Sequence, residues 1–285
     1  MINILVTGGN GQLASCIKDV ESKYLNLNFI FVSSAQLNIT DFNALELFFH
    51  NQKIDYCINC AAYTAVDKAE SDQENAENVN ILGSKNLATN CAKNNITLIQ
   101  ISTDFVFDGK KSIAYTEGDT TNPTCVYGAT KLEGEYQVVK NLKQHFILRT
   151  SWLYSENGNN FMKTMIKLSQ DREFLSIVAD QIGTPTYATD LAEAIIKIIR
   201  TNSKKYGIYN YSNEGVASWY DFAKAIFEET RVNIKVFPIK SQAYPTPAKR
   251  PHFSVLDKAK IKNNLQIEIP HWRVSLRKAI AKNNG

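Results

Sequence analysis

A tyrosine and a lysine four residues apart, Tyr127 and Lys131, form the most informative chemical pattern in the sequence. On a helix this spacing places both side chains on one face, where the ammonium group favours the ionised form of the phenol. A free phenol titrates near ~10, so a neighbouring cation would help it to donate a proton at neutral pH. The same spacing is common on solvated helices, and the surrounding motifs therefore decide its meaning.

A glycine-rich loop follows the first apolar run of the chain. Gly8, Gly9 and Gly11 precede a segment with helical spacing, and Ala14 takes the last small position of the motif. Glycines permit a tight turn, and the N–H groups at a helix N-terminus meet the charge of a pyrophosphate. The loop predicts a dinucleotide site in one of two frames, G-x-x-G-x-x-A from Gly8 or G-x-G-x-x-A from Gly9.

The second apolar run ends without an acidic residue, because Val32 leads into Ser33 and Ser34. An Asp or Glu there would bond the ribose 2′-hydroxyl of NAD, whereas NADP places a phosphate at that position. We therefore expect both NADPH and NADH to be usable, with a mild preference for NADPH.

A polar triplet, Ser102-Thr103-Asp104, stands at the end of the apolar run 97–101. Open parallel sheets bind their ligands at the carboxyl ends of the strands. A hydroxyl group at this position can reach the carbonyl oxygen of a substrate.

These motifs must be positioned by a sheet and its helices. Apolar runs at 3–6, 29–32, 56–59, 97–101 and 146–148 alternate with helical patterns at 12–23, 41–52, 74–94 and 127–141. Such alternation implies right-handed βαβ crossovers and helices on both faces of a parallel sheet. The sequence predicts an α/β fold with a Rossmann-like, doubly wound parallel sheet.

The alternation loosens in the second half of the chain. We expect residues 1–150 to form a dinucleotide-binding Rossmann domain, to which later segments at about 174–212 return. Residues 151–285 should form mainly a smaller mixed α/β substrate-binding part. The proline-rich stretch 244–251 is predicted to be an ordered or closing loop.

Composition excludes several classes of protein. The 32 Lys and Arg residues exceed the 28 Asp and Glu residues only slightly and are scattered, so no nucleic-acid partner is expected. No run approaches the ~20 apolar residues of a membrane helix, and the N-terminus does not resemble a signal peptide. We expect a soluble, cytoplasmic protein. The five cysteines form no disulfide framework, Cys57-x-x-Cys60 lies within a predicted strand, and no metal site is expected.

Taken together, the motifs resemble the extended short-chain dehydrogenase/reductase family. Residues 8–14, 102–104 and the Tyr127-x-x-x-Lys131 pair carry this resemblance. Five further stretches, at 59–70, 149–152, 158–161, 180–186 and 250–251, are similar to the dTDP-4-dehydrorhamnose reductases within it. The resemblance spans nearly the whole chain.

The resemblance implies reduction of the 4-keto group of a dTDP-sugar, dTDP-4-dehydro-6-deoxy-L-mannose, to give dTDP-L-rhamnose. It implies that Tyr127 delivers the proton while Thr103 holds the same oxygen by a hydrogen bond. Lys131 would bind the nicotinamide ribose and lower the pKa of Tyr127.

The resemblance also implies the binding residues. Those expected to contact the cofactor are Gly8, Gly11, Gln12, Leu13, Asn38, Ile39, Ala62, Tyr63, Thr64, Tyr127 and Lys131. Those expected to contact the substrate are Thr103, Asp104, Trp152 and Arg250. Arg250 is assigned to the diphosphate because a guanidinium group matches phosphate oxygens in paired hydrogen bonds.

Some members of the family hold Mg²⁺ at a homodimer interface through a glutamate in the first helix. Cys16 occupies the corresponding position here. Because magnesium prefers oxygen ligands, this cysteine weakens the expectation of the metal and of the homodimer that it would support.

Two other functions share these motifs. A sugar-nucleotide epimerase or 4,6-dehydratase would have the same fold and Tyr–Lys pair, but the related dehydratases place a glutamate where Phe105 stands here. A regulatory subunit resembling that of methionine adenosyltransferase would bind without catalysis. The intact Thr103, Tyr127 and Lys131 favour the reductase.

Overall fold

A six-stranded, entirely parallel sheet organises the chain in the computed structural model, which describes residues 1–283. In the order β10-β5-β4-β3-β1-β2, its strands are Gly207–Asn210, His145–Thr150, Thr97–Thr103, Tyr56–Asn59, Ile2–Thr7 and Leu27–Val32. The prediction of a doubly wound α/β fold is thus confirmed. The five apolar runs predicted as strands all lie in this sheet, and β10 extends it at the edge beside β5.

Short strand pairs lie outside the sheet. They are formed by β6 (Leu153–Tyr154) with β9 (Thr186–Tyr187), β7 (Phe174–Val178) with β12 (Lys235–Ile239), and β8 (Ile182–Gly183) with β11 (Ala217–Ser218). These pairs belong to the part of the chain beyond residue 150, where the sequence shows no regular alternation.

The four predicted helical segments, at 12–23, 41–52, 74–94 and 127–141, are present to within a few residues, together with further helices. They are α1 Gln12–Val20, α2 Phe42–Asn51, α3 Val66–Ala69, α4 Gln73–Glu77, α5 Gly83–Lys93, α6 Val126–Asn141, α7 Phe161–Asp171, α8 Ala188–Arg200, α9 Trp219–Thr230, α10 Ala259–Leu265 and α11 Trp272–Asn283. A π-helical segment, Asn78–Leu82, joins α4 to α5, so the predicted helix 74–94 is continuous but not regular.

Both faces of the sheet are buried, and the alternation of side chains along each strand separates the two cores. On β1, Ile4 and Val6 pack into the core under α1 and α8, whereas Leu5 packs into the core under α2, α5 and α6. This is the pattern expected of a parallel sheet covered by helices. Cys57 belongs to the second core and Cys60 packs against the first, so the Cys57-x-x-Cys60 pair is divided between the two faces.

A third apolar core holds the chain beyond residue 150 together. Phe222 on α9, Met165 on α7 and Trp272 on α11 pack in this cluster. The C-terminal segment also returns to the sheet, since Ile261 and Leu265 are buried in the core under α1 and α8. Asn284 and Gly285, the end of the predicted part 151–285, lie outside the described residues.

Over residues 1–283, no helix combines the length and the apolar character that crossing a membrane requires.

Candidate active site

A cavity of about 910 Å³ runs along the carboxyl ends of the sheet strands. Its wall is built from the residues that directly follow β1, β2, β3, β4 and β5, which is where open parallel sheets place their ligands. The predicted site residues that line it are Gly8, Gly11, Gln12, Leu13, Asn38, Ile39, Ala62, Tyr63, Thr64, Thr103, Asp104, Tyr127, Lys131 and Trp152. Arg250 is not part of this wall.

The glycine loop brings main chain from three strands together at one end of the cavity. Gly8 has a φ of +65°, and a Cβ atom there would lie 2.7 Å from the main-chain nitrogen of Ala61. At Gly9 a Cβ atom would lie 3.0 Å from the main-chain nitrogen of Val32. Only glycine fits such a close approach, and Gly11 then opens α1 in an extended conformation. The loop and the open helix N-terminus fit a pyrophosphate.

The nucleoside end of the cavity carries hydroxyl and amide groups. Both the main-chain N–H and the hydroxyl of Ser33 donate to the side-chain oxygen of Gln36, each at 2.9 Å. Asn38 accepts hydrogen bonds from Thr40, which fixes its amide oxygen. Asp104, which follows β4, is the acidic residue that the described part of the chain contributes to the cavity wall. No acidic side chain directly follows β2, so none would repel a 2′-phosphate at that end of the cavity.

A chain of buried polar side chains ties the strand ends together beneath the middle of the cavity. The Thr7 hydroxyl donates to the Asn59 side-chain oxygen at 2.6 Å, and the Asn59 amide donates to Gln100 at 2.9 Å. The π-helical segment contributes Asn80, whose side-chain oxygen accepts from the main-chain N–H of Tyr63 at 2.9 Å. The sequence motifs assign no role to Thr7, Gln100 or Asn80. The sequence signal that could identify such residues is a polar residue inside an otherwise apolar strand, as at Gln100.

Tyr127 and Lys131 project from the first turns of α6 towards β4. This approach is close because Gly128 lies against the carbonyl oxygen of Phe105, where a Cβ atom would come within 2.3 Å. The Tyr127 ring also meets the Phe105 ring edge-to-face at 5.6 Å between centroids. The tyrosine and the Thr103-Asp104 turn are therefore held against each other.

The ionisation of the pair differs from the expectation based on spacing. Burial raises the pKa of Tyr127 well above its ordinary value, and a hydrogen bond with the Thr103 side chain opposes this only in part. The Lys131 ammonium donates to the main-chain oxygen of Ile101 at 2.7 Å. Burial thus keeps the phenol protonated in this structure, and the lowering of its pKa by Lys131 stays a prediction.

Burial also acts on Lys131 and Asp104. It lowers the pKa of Lys131 to about 8, against the opposing charge of Glu135. It raises the pKa of Asp104 to about 6, although the Thr103 hydroxyl and the nearby Ser254 hydroxyl favour the ionised form. One oxygen of Asp104 accepts from the Thr103 hydroxyl at 3.1 Å, and the other has no hydrogen-bond partner among residues 1–283. The site thus presents a carboxyl oxygen with free hydrogen-bonding capacity.

Trp152 forms an aromatic wall at the far end of the cavity. Its main chain has a φ of +47°, and its indole stacks on Trp219 with centroids 3.6 Å apart and ring planes at 7°. Gly183 completes the packing, since a Cβ atom there would lie 2.7 Å from the indole. The ring is rigidly placed, as a stacking surface for a sugar or base requires.

Arg250 lies beside the cavity in a paired ion pair with Asp67. Its two terminal nitrogens bond the two carboxylate oxygens at 3.0 and 2.7 Å. The guanidinium group that the sequence assigned to a diphosphate is therefore engaged by a residue 183 positions earlier in the chain.

The residues around Cys16 do not fit a magnesium ion. Cys16 is fully buried, and burial raises the pKa of its thiol. The nearby carboxylates of Asp19 and Glu156 are both bridged by the Lys282 ammonium. Within the described part of the chain, no group of three metal-ligating side chains is found.

Comparison with known proteins gives a consistent result. The sequence profile of the RmlD substrate binding domain matches residues 2–284. A dTDP-4-dehydrorhamnose reductase of Aggregatibacter actinomycetemcomitans is 40% identical, over 97% of this chain and 98% of that protein. The crystal structure of a dTDP-4-dehydrorhamnose reductase from Clostridium acetobutylicum is 41% identical, with a TM-score of 0.96 and full coverage of both chains. That of Bacillus anthracis in complex with NADP is 36% identical, with a TM-score of 0.94 over 99% of this chain and 100% of that one.

Proposed function

The chain belongs to the RmlD family of dTDP-4-dehydrorhamnose reductases, and from this premise we propose how its residues carry out the reduction. The reaction converts the 4-keto group of dTDP-4-dehydro-6-deoxy-L-mannose to the hydroxyl group of dTDP-L-rhamnose, with NADPH or NADH as reductant. One observation carries the assignment of roles: Thr103, Asp104, Tyr127 and Lys131 meet in the cavity that begins at the glycine loop. The reduced nicotinamide, when bound, supplies the hydride that C4 receives.

Tyr127 supplies the proton that balances the hydride. Because burial raises its pKa, the phenol stays protonated at neutral pH and is available as the donor to the oxygen at C4. The Thr103 hydroxyl, which donates to Asp104 in this structure, would rotate to donate a second hydrogen bond to the same oxygen when the substrate binds. Negative charge that develops on that oxygen is met by two donors on rigid elements, a strand end and a helix.

Lys131 has two tasks in this scheme. Its ammonium, already bonded to the Ile101 oxygen, has further N–H donors for the nicotinamide ribose hydroxyls. Its positive charge also stabilises the phenolate that remains on Tyr127 after proton transfer. Both tasks require the charged form of the lysine.

The sugar-nucleotide site is assigned to residues from both parts of the chain. Asp104 accepts a hydrogen bond from a sugar hydroxyl through its free carboxyl oxygen, and Trp152 covers the sugar or the deoxythymidine part. Arg250 reaches the diphosphate when it exchanges Asp67 for phosphate oxygens. The division into a Rossmann part at 1–150 and a substrate-binding part at 151–285 rests on the same assignment.

The site lacks the acidic side chain that a dehydratase needs to eliminate water from the sugar. The position that directly follows Thr103-Asp104 is Phe105, whose ring packs on Tyr127. The full-length similarity to reductases also disfavours an epimerase and a regulatory subunit. We place the enzyme in the cytoplasm, and a homodimer would have to form without a bridging magnesium ion, since neither Cys16 nor its surroundings fit one.

A coupled assay tests this proposal. The purified protein should oxidise NADPH in proportion to dTDP-4-dehydro-6-deoxy-L-mannose added, and dTDP-L-rhamnose should appear in equal amount. A parallel series with NADH should show turnover with a modestly lower kcat/KM. Absence of turnover with both cofactors would contradict the reductase assignment, and a strong preference for NADH would contradict the cofactor preference.

A further inference from the structure

A buried ion pair lies directly behind the catalytic lysine. Glu135 follows Lys131 by one turn of α6, and Arg149 lies near the end of β5. The Arg149 guanidinium bonds both carboxylate oxygens, with Nη2 to Oε2 at 2.6 Å and Nε to Oε1 at 2.9 Å. Their side chains are 3% and 1% exposed, so the pair has almost no access to water.

The pair is connected to the cavity wall on the side of β4. The Ser102 hydroxyl, which lines the cavity, donates to the Glu135 carboxylate. Arg149 also covers the Phe107 ring, with its guanidinium carbon 5.1 Å from the centroid. The carboxylate is therefore held between the helix that carries Lys131 and the strand that ends in Thr103.

The charged surroundings of Lys131 are few. Its own helix carries Tyr127 one turn before it and Glu135 one turn after it. The Ile101 carbonyl on β4 accepts from its ammonium, and the Cys60 thiol, in the loop after β3, lies within electrostatic range of it. Burial raises the pKa of both Tyr127 and Cys60, so these groups are neutral at physiological pH. Glu135 is the ionised group of opposite sign in this set.

We propose that Glu135, fixed by Arg149 and Ser102, is a positioning residue that keeps Lys131 charged and therefore able to bind the nicotinamide ribose. This inference rests on the proposed function for the role of Lys131. A buried ion pair alone is weak evidence for stability, because desolvation offsets much of the attraction. Lys131, however, is the one cation that residues 1–283 contribute to the cavity wall. A buried carboxylate one helical turn from Lys131 stabilises the charged form of this lysine, which gives the ion pair a functional reason.

The test measures cofactor binding without the sugar, so it does not depend on turnover. The dissociation constant of NADPH is followed by fluorescence between pH 7 and 10, above the range in which its phosphate titrates. In the wild type the affinity should fall with a midpoint near pH 8, where Lys131 loses its proton. In Glu135→Gln and in the double variant Glu135→Gln/Arg149→Met, the midpoint should lie about one pH unit lower.

The double variant separates this role from a structural one. It leaves neither Glu135 nor Arg149 as a buried charge without its ion-pair partner, and neutral replacements of such pairs generally fold. A structural role predicts that the double variant regains the wild-type midpoint, which would overturn the proposal. Glu135→Asp retains the charge and should restore a midpoint near pH 8 even where it lowers the melting temperature.

A matched control is available at a distant ion pair. Glu214 contacts the buried Lys258 at 3.6 Å and Lys262 at 2.8 Å. Glu214→Gln should keep the midpoint near pH 8, and an equal displacement in this variant would count against the proposal. If wild-type NADPH binding shows the expected midpoint but the sugar is not reduced, the proposed function fails while the role of Glu135 stands.

Discussion

Lys131 on α6 donates a hydrogen bond of 2.7 Å to the main-chain oxygen of Ile101 on β4. This bond joins the helix that carries the proton donor to the strand whose next residues are Ser102, Thr103 and Asp104. The acceptor is a main-chain oxygen, so the bond does not depend on the side chain at position 101. It fixes the position of α6 relative to the end of β4. The catalytic distances thus depend on this contact together with that of Gly128 on the Phe105 carbonyl oxygen.

Replacement of the proton donor should abolish most of the turnover. Tyr127→Phe removes the phenolic hydroxyl and keeps the ring that packs on Phe105, so we expect kcat to fall about 10²- to 10⁴-fold. NADPH binding, measured by fluorescence, should change by less than about twofold because Lys131 remains. An unchanged kcat would show that another group donates the proton.

The buried carboxyl group of Asp104 should destabilise the protein at neutral pH. Its folded-state pKa of about 6 exceeds the ordinary value of 3.8, so the folded state binds the proton more tightly. Stability from this group is complete below the unfolded pKa and is lost as the pH rises through about 6. Asp104→Asn should therefore raise the free energy of unfolding by about 3 kcal/mol at pH 7 and by less than about 1 kcal/mol at pH 4.

Urea denaturation at the two pH values measures this difference. The exposed Asp171→Asn is the control and should behave like the wild type at both. The substrate KM of Asp104→Asn should rise, since an amide presents fewer acceptor sites than a carboxylate. A stability gain of equal size at pH 4 and pH 7 would show that ionisation of Asp104 is not its source.

The close contact at Gly128 should be essential for catalysis as well as for packing. In Gly128→Ala the new methyl group would meet the Phe105 carbonyl oxygen at 2.3 Å, so the helix must shift. We expect a loss of about 1–3 kcal/mol in stability and a fall in kcat of about 10- to 100-fold. Gly118→Ala is the matched control, because its methyl group finds only the Thr116 hydroxyl at 4.0 Å.

Both variants are compared by thermal unfolding and by kcat under saturating substrate. Gly118→Ala should match the wild type in both measurements. Equal kcat values in the two alanine variants would mean that Tyr127 tolerates displacement of its helix.

The Asp67–Arg250 pair distinguishes two roles for the arginine. The pair is partly exposed, at 25% for Arg250 and 41% for Asp67, so its own contribution to stability should stay below about 1 kcal/mol. If Arg250 binds the diphosphate, Arg250→Gln should raise the KM of the dTDP-sugar about tenfold or more with little change in kcat. Asp67→Asn, which releases the guanidinium group, should then leave KM equal or lower.

Steady-state kinetics of the two variants decide between these roles. An equal rise in KM in both would show that Arg250 acts only by anchoring the segment around Pro251 to α3. The sign of the Asp67→Asn effect is therefore the informative measurement.

Features encoded within short stretches are predictable from the amino-acid sequence alone. The glycine loop, the hydroxyl groups at the end of β4 and the spacing of Tyr127 and Lys131 each depend on local backbone geometry. Alternation of apolar runs with helical segments is enough to predict the parallel sheet, because a strand buried on both faces must be apolar throughout. The carboxyl ends of these strands then necessarily form one edge, and the motifs on them meet there.

Contacts between distant segments are beyond the reach of such patterns. Arg250 is engaged by Asp67, Trp152 stacks on Trp219, and Glu135 pairs with Arg149. Each contact requires the packing of elements far apart in the chain. The same is true of the ionisation of Tyr127, for which spacing predicts a lowered pKa and burial produces a raised one. Desolvation depends on everything that surrounds a group in three dimensions, and a sequence of neighbours along one helix does not contain that information.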